Sequence, residues 1–110
     1  MGIIKSSREI DVVFRTAKRA AHPLVIVLET KTPEGRGHEG RVAFIAGKKL
    51  GNAVVRNRSK RVLREAARRC SGPWDGHDVL LIARPATRDA AWVELDRALR
   101  SQLSRLGIGS

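Results

Sequence analysis

Six consecutive residues, Arg56-Asn57-Arg58-Ser59-Lys60-Arg61, carry four cationic side chains. Guanidinium groups bind phosphate through paired N–H donors and stack on planar rings, and they stay protonated at any physiological pH. Their chemistry is therefore recognition of anions, not proton transfer or nucleophilic attack. Asn57 adds an amide that both donates and accepts, suited to a base edge or a ribose 2′-hydroxyl. Lys48 and Lys49 precede the cluster, and Arg64 and Arg68 follow it. From Lys48 to Arg69 there are nine basic residues and a single acid, Glu65. A solvated helix normally mixes signs, because Glu–Lys pairs three or four residues apart support it. Loading with one sign points to a polyanionic partner.

The other chemistry-bearing residues are scattered. Cys70 is the only cysteine, so no internal disulfide forms, and a reducing, cytoplasmic compartment is expected. His22, His38 and His77 lie far apart, and Cys70 with His77 makes no zinc spacing, so no structural metal is expected. Asp75 and Asp78 are the nearest approach to the carboxylate pair of a metal-dependent nuclease, but no supporting ligands accompany them. They read as ordinary acids of a loop and a strand start. "GKKLGN", residues 47–52, lacks the Gly-Lys-Ser/Thr ending of a phosphate-binding P-loop.

The whole chain repeats the message of the cluster. Among 110 residues, 22 Lys and Arg stand against 11 Asp and Glu, a formal charge of +11. Such a surplus repels itself in a compact state and suits nucleic acid or an anionic membrane surface. The longest apolar runs, Leu24–Leu28 and Val79–Ala83, are too short to span a bilayer. The first six residues lack the apolar core of a secretory signal, and no helix pairs a basic face with an aromatic one, so membrane binding ranks last.

The elements that must position the cluster follow from periodicity and punctuation. Ser6 and Glu9 form a capping box ahead of Ile10, Val13, Phe14 and Ala17, which predicts a helix over residues 7–19 ended by His22-Pro23. Leu24–Leu28 reads as a buried strand, "KTPEGRGHEG" (31–40) as an exposed hairpin loop, and Arg41–Ala46 as a strand returning antiparallel. After the turn at 47–51, Asn52 caps a long helix reaching Arg69. Its underside should hold Val55, Val62 and Ala66, with Ser59, Leu63 and Cys70 at the margin. Arg56, Lys60, Arg64 and Arg68 should form a ladder on the opposite side. Residues 78–84 read as a strand, and Thr87 as the cap of a last helix docking through Trp92, Leu95, Leu99, Leu103 and Leu106. The expectation is one α+β domain over 1–110, an α/β sandwich in the order α-β-β-(β)-α-β-α. Helices pack on a central mixed sheet, and termini at 1–5 and 108–110 are loose.

"AGKKLGNAVVRNRSKRVLREAAR", residues 46–68, resembles the signature of the protein subunit of bacterial ribonuclease P, whose hallmark is Arg-Asn-Arg within Lys-Lys-x-Gly-Asn-Ala-Val-x-Arg-Asn-Arg-x-Lys-Arg. "REIDVVFRTAKRA" resembles the family's first helix, and "GHDVLLIARPA" its last strand entering the final helix. The resemblance implies a non-catalytic subunit of a ribonucleoprotein endonuclease. A catalytic RNA, using Mg²⁺, removes the 5′ leader of precursor tRNA while the protein binds that RNA and the leader. It implies no cofactor on the protein, a monomer in the absence of RNA, and a left-handed βαβ crossover. Lys48, Lys49, Gly51, Asn52, Arg56, Asn57, Arg58, Lys60, Arg61 and Arg64 fall on the motif, and Arg68 continues its ladder. Phe14 matches an aromatic of the leader cleft. Ile10 stands where a second phenylalanine is common, Val27 lies near a strand position often aromatic, Gly47 replaces a serine, and the chain has no tyrosine. The competing readings are a general basic RNA-binding or ribosomal protein and, more remotely, a self-sufficient nuclease.

Overall fold

In the computed structural model, which describes residues 2–4, 6–35 and 37–108, three α-helices pack on one four-stranded sheet. The elements run α1 (Ser7–Thr16), β1 (Lys18–His22), β2 (Val25–Lys31), β3 (Arg41–Ile45), α2 (Ala53–Arg69), β4 (His77–Ala83) and α3 (Trp92–Arg105). Across the sheet the order is β1-β2-β4-β3, with β1/β2 and β2/β4 antiparallel and β3/β4 parallel. The α+β mixed-sheet expectation holds, but the additional strand is β1, ahead of the two expected ones, and not a strand following them near the hairpin.

Two strands depart from the expected layout. β1, "KRAAH", has no β-branched or aromatic residue, and by composition it looks like the tail of the first helix. The helix stops at Thr16, where Ala17 turns extended, and the chain pairs with β2 across the two-residue turn Pro23-Leu24. The Leu24 N–H donates to His22 Nδ1 at 3.0 Å within that turn. Pairing partners supply what intrinsic propensity lacks. The second departure is that β3 does not return beside β2. The more apolar β4 takes the place between them, burying Val79, Leu80 and Leu81 completely. Parallel neighbours need a crossover, and α2 provides it between β3 and β4.

The loop preceding β3 is tied down at its far end. A Cβ at Gly40 would lie 1.8 Å from the Trp74 carbonyl oxygen, so only glycine fits there. Gly76 N–H donates to His38 O at 2.7 Å, which binds the same loop to the turn before β4. The amino terminus is also held, contrary to expectation. Ile4 is buried, its N–H donates to Val42 O, and Val42 N–H donates to Gly2 O, both at 3.0 Å. At the other end Ile108 is buried and its N–H donates to Leu103 O. Met1, Lys5, Gly109 and Ser110 lie outside the described residues.

Each sheet face has its own core. Val25, Val27, Val42, Val79 and Leu81 face α2 and α3, meeting Leu63, Ala66, Ala67, Leu95, Leu99 and Leu103. Leu28, Ala43 and Leu80 face the other way, onto Ile4 and Val13 of the α1 side. α3 adds a polar staple: Gln102 Nε2, completely buried, donates to Ala20 O and Val25 O at 2.8 Å each, joining β1 and β2 at their turn.

The start of α3 differs from the expected one. Thr87 does not cap it. Thr87 is buried, donates its hydroxyl to Leu24 O at 2.5 Å and accepts from Arg84 N at 2.8 Å, so it ties the β4–α3 connection to the β1–β2 turn. The helix begins at Trp92 with Ala91 as an N-cap that makes no side-chain hydrogen bond. Trp92 is 62% exposed and does not dock the helix, whereas Leu95 and Leu99 are at 0%. Leu99→Ala should therefore cost about 2–5 kcal/mol of stability. Trp92→Ala should cost no more than about 1 kcal/mol. Urea unfolding of the two variants checks this, and equal losses would place the α3 anchor elsewhere.

Candidate nucleic-acid interface

The cationic segment begins where β3 ends. Lys48–Leu50 form a single 3₁₀ turn, and Gly51 follows at φ +135°, a conformation that side chains oppose. That kink turns the chain out of the sheet and leaves Lys48 and Lys49 exposed just ahead of α2. Asn52 then caps the helix as expected, its Oδ1 accepting from Val55 N–H at 3.0 Å. One acceptor of this proposed RNA-binding residue is thus engaged in starting the helix.

α2 is buried through Ser59, Leu63, Ala66, Ala67 and Cys70, while Val55 and Val62 sit at the rim. The underside is therefore rotated from the expected arc toward Ala67. Ser59 is accommodated because its hydroxyl donates to Val55 O at 3.0 Å. This rotation changes the basic ladder. Steps of four residues advance about 40° around a helix of about 100° per residue. With Leu63 as the centre of the underside, Arg56 starts on the inner side and Lys60, Arg64 and Arg68 wind progressively outward. Burial follows the same order: Arg56 and Lys60 are half-buried, Arg64 and Arg68 exposed. The expectation that Arg56 lies opposite the packed face is corrected accordingly. Its Nε is shielded from solvent without a hydrogen-bond partner.

The rest of the cluster points outward. Asn57, Arg58 and Arg61 are exposed. Arg56 and Arg58 diverge by about 160°, so a ligand meeting both must wrap the first turns of α2. Arg64 is steered by the Phe44 ring on β3, its guanidinium carbon 5.4 Å from the ring centroid. Among the described residues, five of the acids pair elsewhere: Glu9 and Asp78 with Arg41, Asp96 with Arg69, Glu29 with His77, and Asp89 with Arg88. None of Lys48, Lys49, Arg56, Arg58, Lys60, Arg61, Arg64 or Arg68 has an ion-pair partner there. The first turns of α2 thus present cations together with free helix N–H groups, a combination that favours phosphate.

The opposite sheet face holds the residues read as a cleft. Ile10 is half-buried against the α1-side core, and Phe14 is 49% exposed. Val27 is not with them. It is at 0% exposure in the core beneath α2 and α3, because alternation along β2 turns it to that face. Ile26 takes the α1 side instead, beside Ile82 and then Ile45 in register across three strands, all half-buried. Sequence reasoning misses this short apolar row because "LVIVL" is apolar at every position and gives no sign of which residues face which way.

The other candidate groups serve the fold. Asp78 is buried and accepts from Thr32 Oγ1 and Arg41 N–H at 3.3 Å, while Asp75 lies exposed in the preceding turn. Cys70 is buried, and burial pushes its thiol above the ordinary value, away from the reactive thiolate. No cluster of three or more His, Cys, Asp or Glu able to hold a metal ion occurs among the described residues, nor any helix long and apolar enough to cross a membrane.

Comparison with known proteins meets this geometry from outside. A family model described as Ribonuclease P matches residues 3–107. The chain is 41% identical over 96 residues to a ribonuclease P protein component of Symbiobacterium thermophilum, covering 84% of this chain and 76% of that protein. It is 34% identical over 107 residues to the one from Brevibacillus brevis, covering 93% and 80%. The fold superposes on the RNase P protein of Staphylococcus aureus with a TM-score of 0.81 at 23% identity, covering 100% and 99% of the two chains. For that of Thermotoga maritima the TM-score is 0.78 at 24% identity, covering 96% and 97%. With the Arg-Asn-Arg segment at the exposed start of its crossover helix, this chain belongs to the ribonuclease P protein family.

Proposed function

We propose that this chain binds the catalytic RNA subunit of ribonuclease P through the first turns of α2, and the 5′ leader of precursor tRNA along the α1 side of the sheet. The protein assists cleavage that the RNA performs. The observation that carries this reading is the set of unpaired cations from Lys48 to Arg68 on a helix whose underside is anchored in the core. Lys48 and Lys49 reach the phosphate backbone from the turn, while Arg58 and Arg61 meet it on the outer side. Arg56, half-buried and with its Nε shielded, meets it on the inner side through the outer end of its guanidinium. Asn57 is placed among them to read a base edge or a 2′-hydroxyl.

The leader would lie along Ile26, Ile45 and Ile82, with Ile10 and Phe14 on the α1 flank. An isoleucine row offers flat apolar contact without the aromatic stacking worth about 1–3 kcal/mol per base in single-strand binders. The leader is then held loosely and with little regard for sequence, as a subunit serving many precursors requires. Leader hydrolysis uses magnesium ions held by the RNA subunit. The protein's part is to fix the position of RNA and leader in the cytoplasm, as a monomer when RNA is absent. A general RNA-binding protein would share the cations but have no use for the isoleucine row.

Reconstitution of a bacterial ribonuclease P RNA with this protein at low magnesium tests the proposal. Cleavage should rise with the protein present, and the gain should disappear when the leader is cut to one or two nucleotides. A gain independent of leader length would remove the leader from the sheet, and no gain at all would leave only general RNA binding. Replacing Arg56 and Arg58 by alanine should flatten the salt dependence of RNA binding by about 0.7–0.9 units of slope for each phosphate no longer neutralised. An unchanged slope would move the interface off α2. At Asn52, alanine should cost about 0.5–2 kcal/mol of stability and aspartate much less, because aspartate still caps. Thermal melts separate this capping role from RNA affinity, which aspartate should lower by repulsion. Equal stability of all three proteins would show that the Asn52 cap contributes nothing.

A further inference from the structure

The outer face of α3 carries an aromatic and arginine cluster that the interface on α2's first turns does not use. The chain has two tryptophans, two phenylalanines and no tyrosine, so an exposed indole is an uncommon resource here. Trp74 is buried, with its Nε1–H donating to Cys70 O at 3.0 Å. Trp92 stands 62% exposed. The Arg69 guanidinium carbon lies 5.5 Å from the Trp92 ring centroid. That guanidinium is itself fixed by two bonds to Asp96, Nε to Oδ2 at 2.7 Å and Nη2 to Oδ1 at 2.9 Å. Arg100 reaches back to donate to Arg69 O at 2.9 Å. Trp92, Val93, Asp96, Arg97 and Arg100 line a surface depression of about 350 Å³.

The arrangement is a ring held from one side and open on the other. Trp92, Asp96 and Arg100 follow one another at four-residue spacing, on successive turns of α3, and Arg97 flanks them. Neither Arg97 nor Arg100 sits in an ion pair among the described residues. Arg69 is neutralised by Asp96, with Glu65 also near it, while Arg97 and Arg100 stay exposed and unpaired among the described residues, and these two cations suit a polyanion. They disfavour a second copy of a chain whose own charge is +11. Arg69 lies thirteen residues beyond Arg56, about 20 Å along the axis of α2, and points about 100° around the helix from Arg68, the last rung of the basic ladder, so a ligand here is a separate contact from the one on the first turns.

We propose that Trp92, backed by Arg69 and flanked by Arg97 and Arg100, is a stacking platform for an unpaired nucleobase of RNA, with the two flanking arginines on the neighbouring phosphates. Aromatic rings accept any base in this way, because every base has a π face. The inference rests on the reading that the protein binds RNA, and adds to it a second point of attachment on the far end of the crossover helix.

Binding of decaadenylate, and of an abasic oligomer of equal length and charge, tests it at one fixed salt concentration. Decaadenylate should quench emission from the wild-type protein and leave Trp92→Phe, which retains only Trp74, nearly unaffected. Trp92→Ala should weaken decaadenylate about tenfold or more while leaving the abasic oligomer's affinity unchanged. The Arg56→Ala, Arg58→Ala double variant should weaken both oligomers. Full decaadenylate affinity in Trp92→Ala, with the double variant impaired, would overturn the platform and leave the RNA reading standing. If neither variant loses affinity, both fall. Self-association of the wild type that disappears in Trp92→Ala, seen by sedimentation, would make the patch a protein–protein face and overturn the proposal. Because Trp92 contributes little to the core, the variants remain folded, which a thermal melt verifies.

Discussion

Packing of α2 against the sheet is the contact on which the rest depends. Leu63, Ala66 and Ala67 are at 0% exposure beneath the helix. Burying a side chain such as Leu63 is worth about 1.5–3 kcal/mol on its own. The five like-charge pairs three or four residues apart between Arg56 and Arg68 cost roughly 1–2.5 kcal/mol together, at 0.2–0.5 per pair. The underside therefore outweighs the repulsion, and the helix holds seven cations with Glu65 as its single acid. A helix held only by its own propensity would need mixed charges on its outer face, and would have no spare guanidinium groups to offer.

The sheet divides its two faces between stability and access. Beneath α2 and α3 it is covered by leucine, valine and alanine and stapled by Gln102 to the β1–β2 turn. On the other side the short α1 covers only Leu28, Leu80 and Ala43, leaving Ile26, Ile82 and Ile45 half-open. At the far end of that face the protein's acids are engaged with Arg41, whose guanidinium meets both Glu9 and Asp78. His77 and Glu29 close the same end of the α2 and α3 side at 2.6 Å. Glu9, Glu29, Asp78 and Asp96 are thus drawn into the framework, and α2 keeps seven cations against Glu65 alone. The division explains why a protein of net charge +11 folds without self-cancelling its interface.

Much of this is legible in the sequence, and the gaps have physical causes. The bounds and cap of α2 are readable because Asn52, a run of helix-forming residues and Gly72-Pro73 all agree. Its rotation is not, because Val55 and Val62 are larger and more apolar than Ala67 yet are left half-buried while Ala67 is fully buried. β1 is hidden by its composition, and the place of β3 by the assumption that neighbours in sequence pair, which β4 defeats by being the better centre strand. Thr87 looks like a cap because its type suits one, but the carbonyl of Leu24 claims it. Trp92 looks like core because it falls in step with Leu95 and Leu99. Trp92 is the first residue of α3 and stays exposed, and burial along that stripe begins only at Leu95. Val27 and Ile26 differ only in which face they take, a choice fixed by long-range pairing.

The central claim is that RNA covers the exposed cations at the start of α2 while the fold beneath stays unchanged. Arginine modification by phenylglyoxal, read by mass spectrometry with and without a bacterial ribonuclease P RNA, measures this residue by residue. The account predicts strong protection of Arg58, Arg61 and Arg64 in the complex and no change at Arg41, which Glu9 and Asp78 hold at the opposite end of β3 from the start of α2. Equal modification of Arg58, Arg61 and Arg64 in free protein and complex would contradict it.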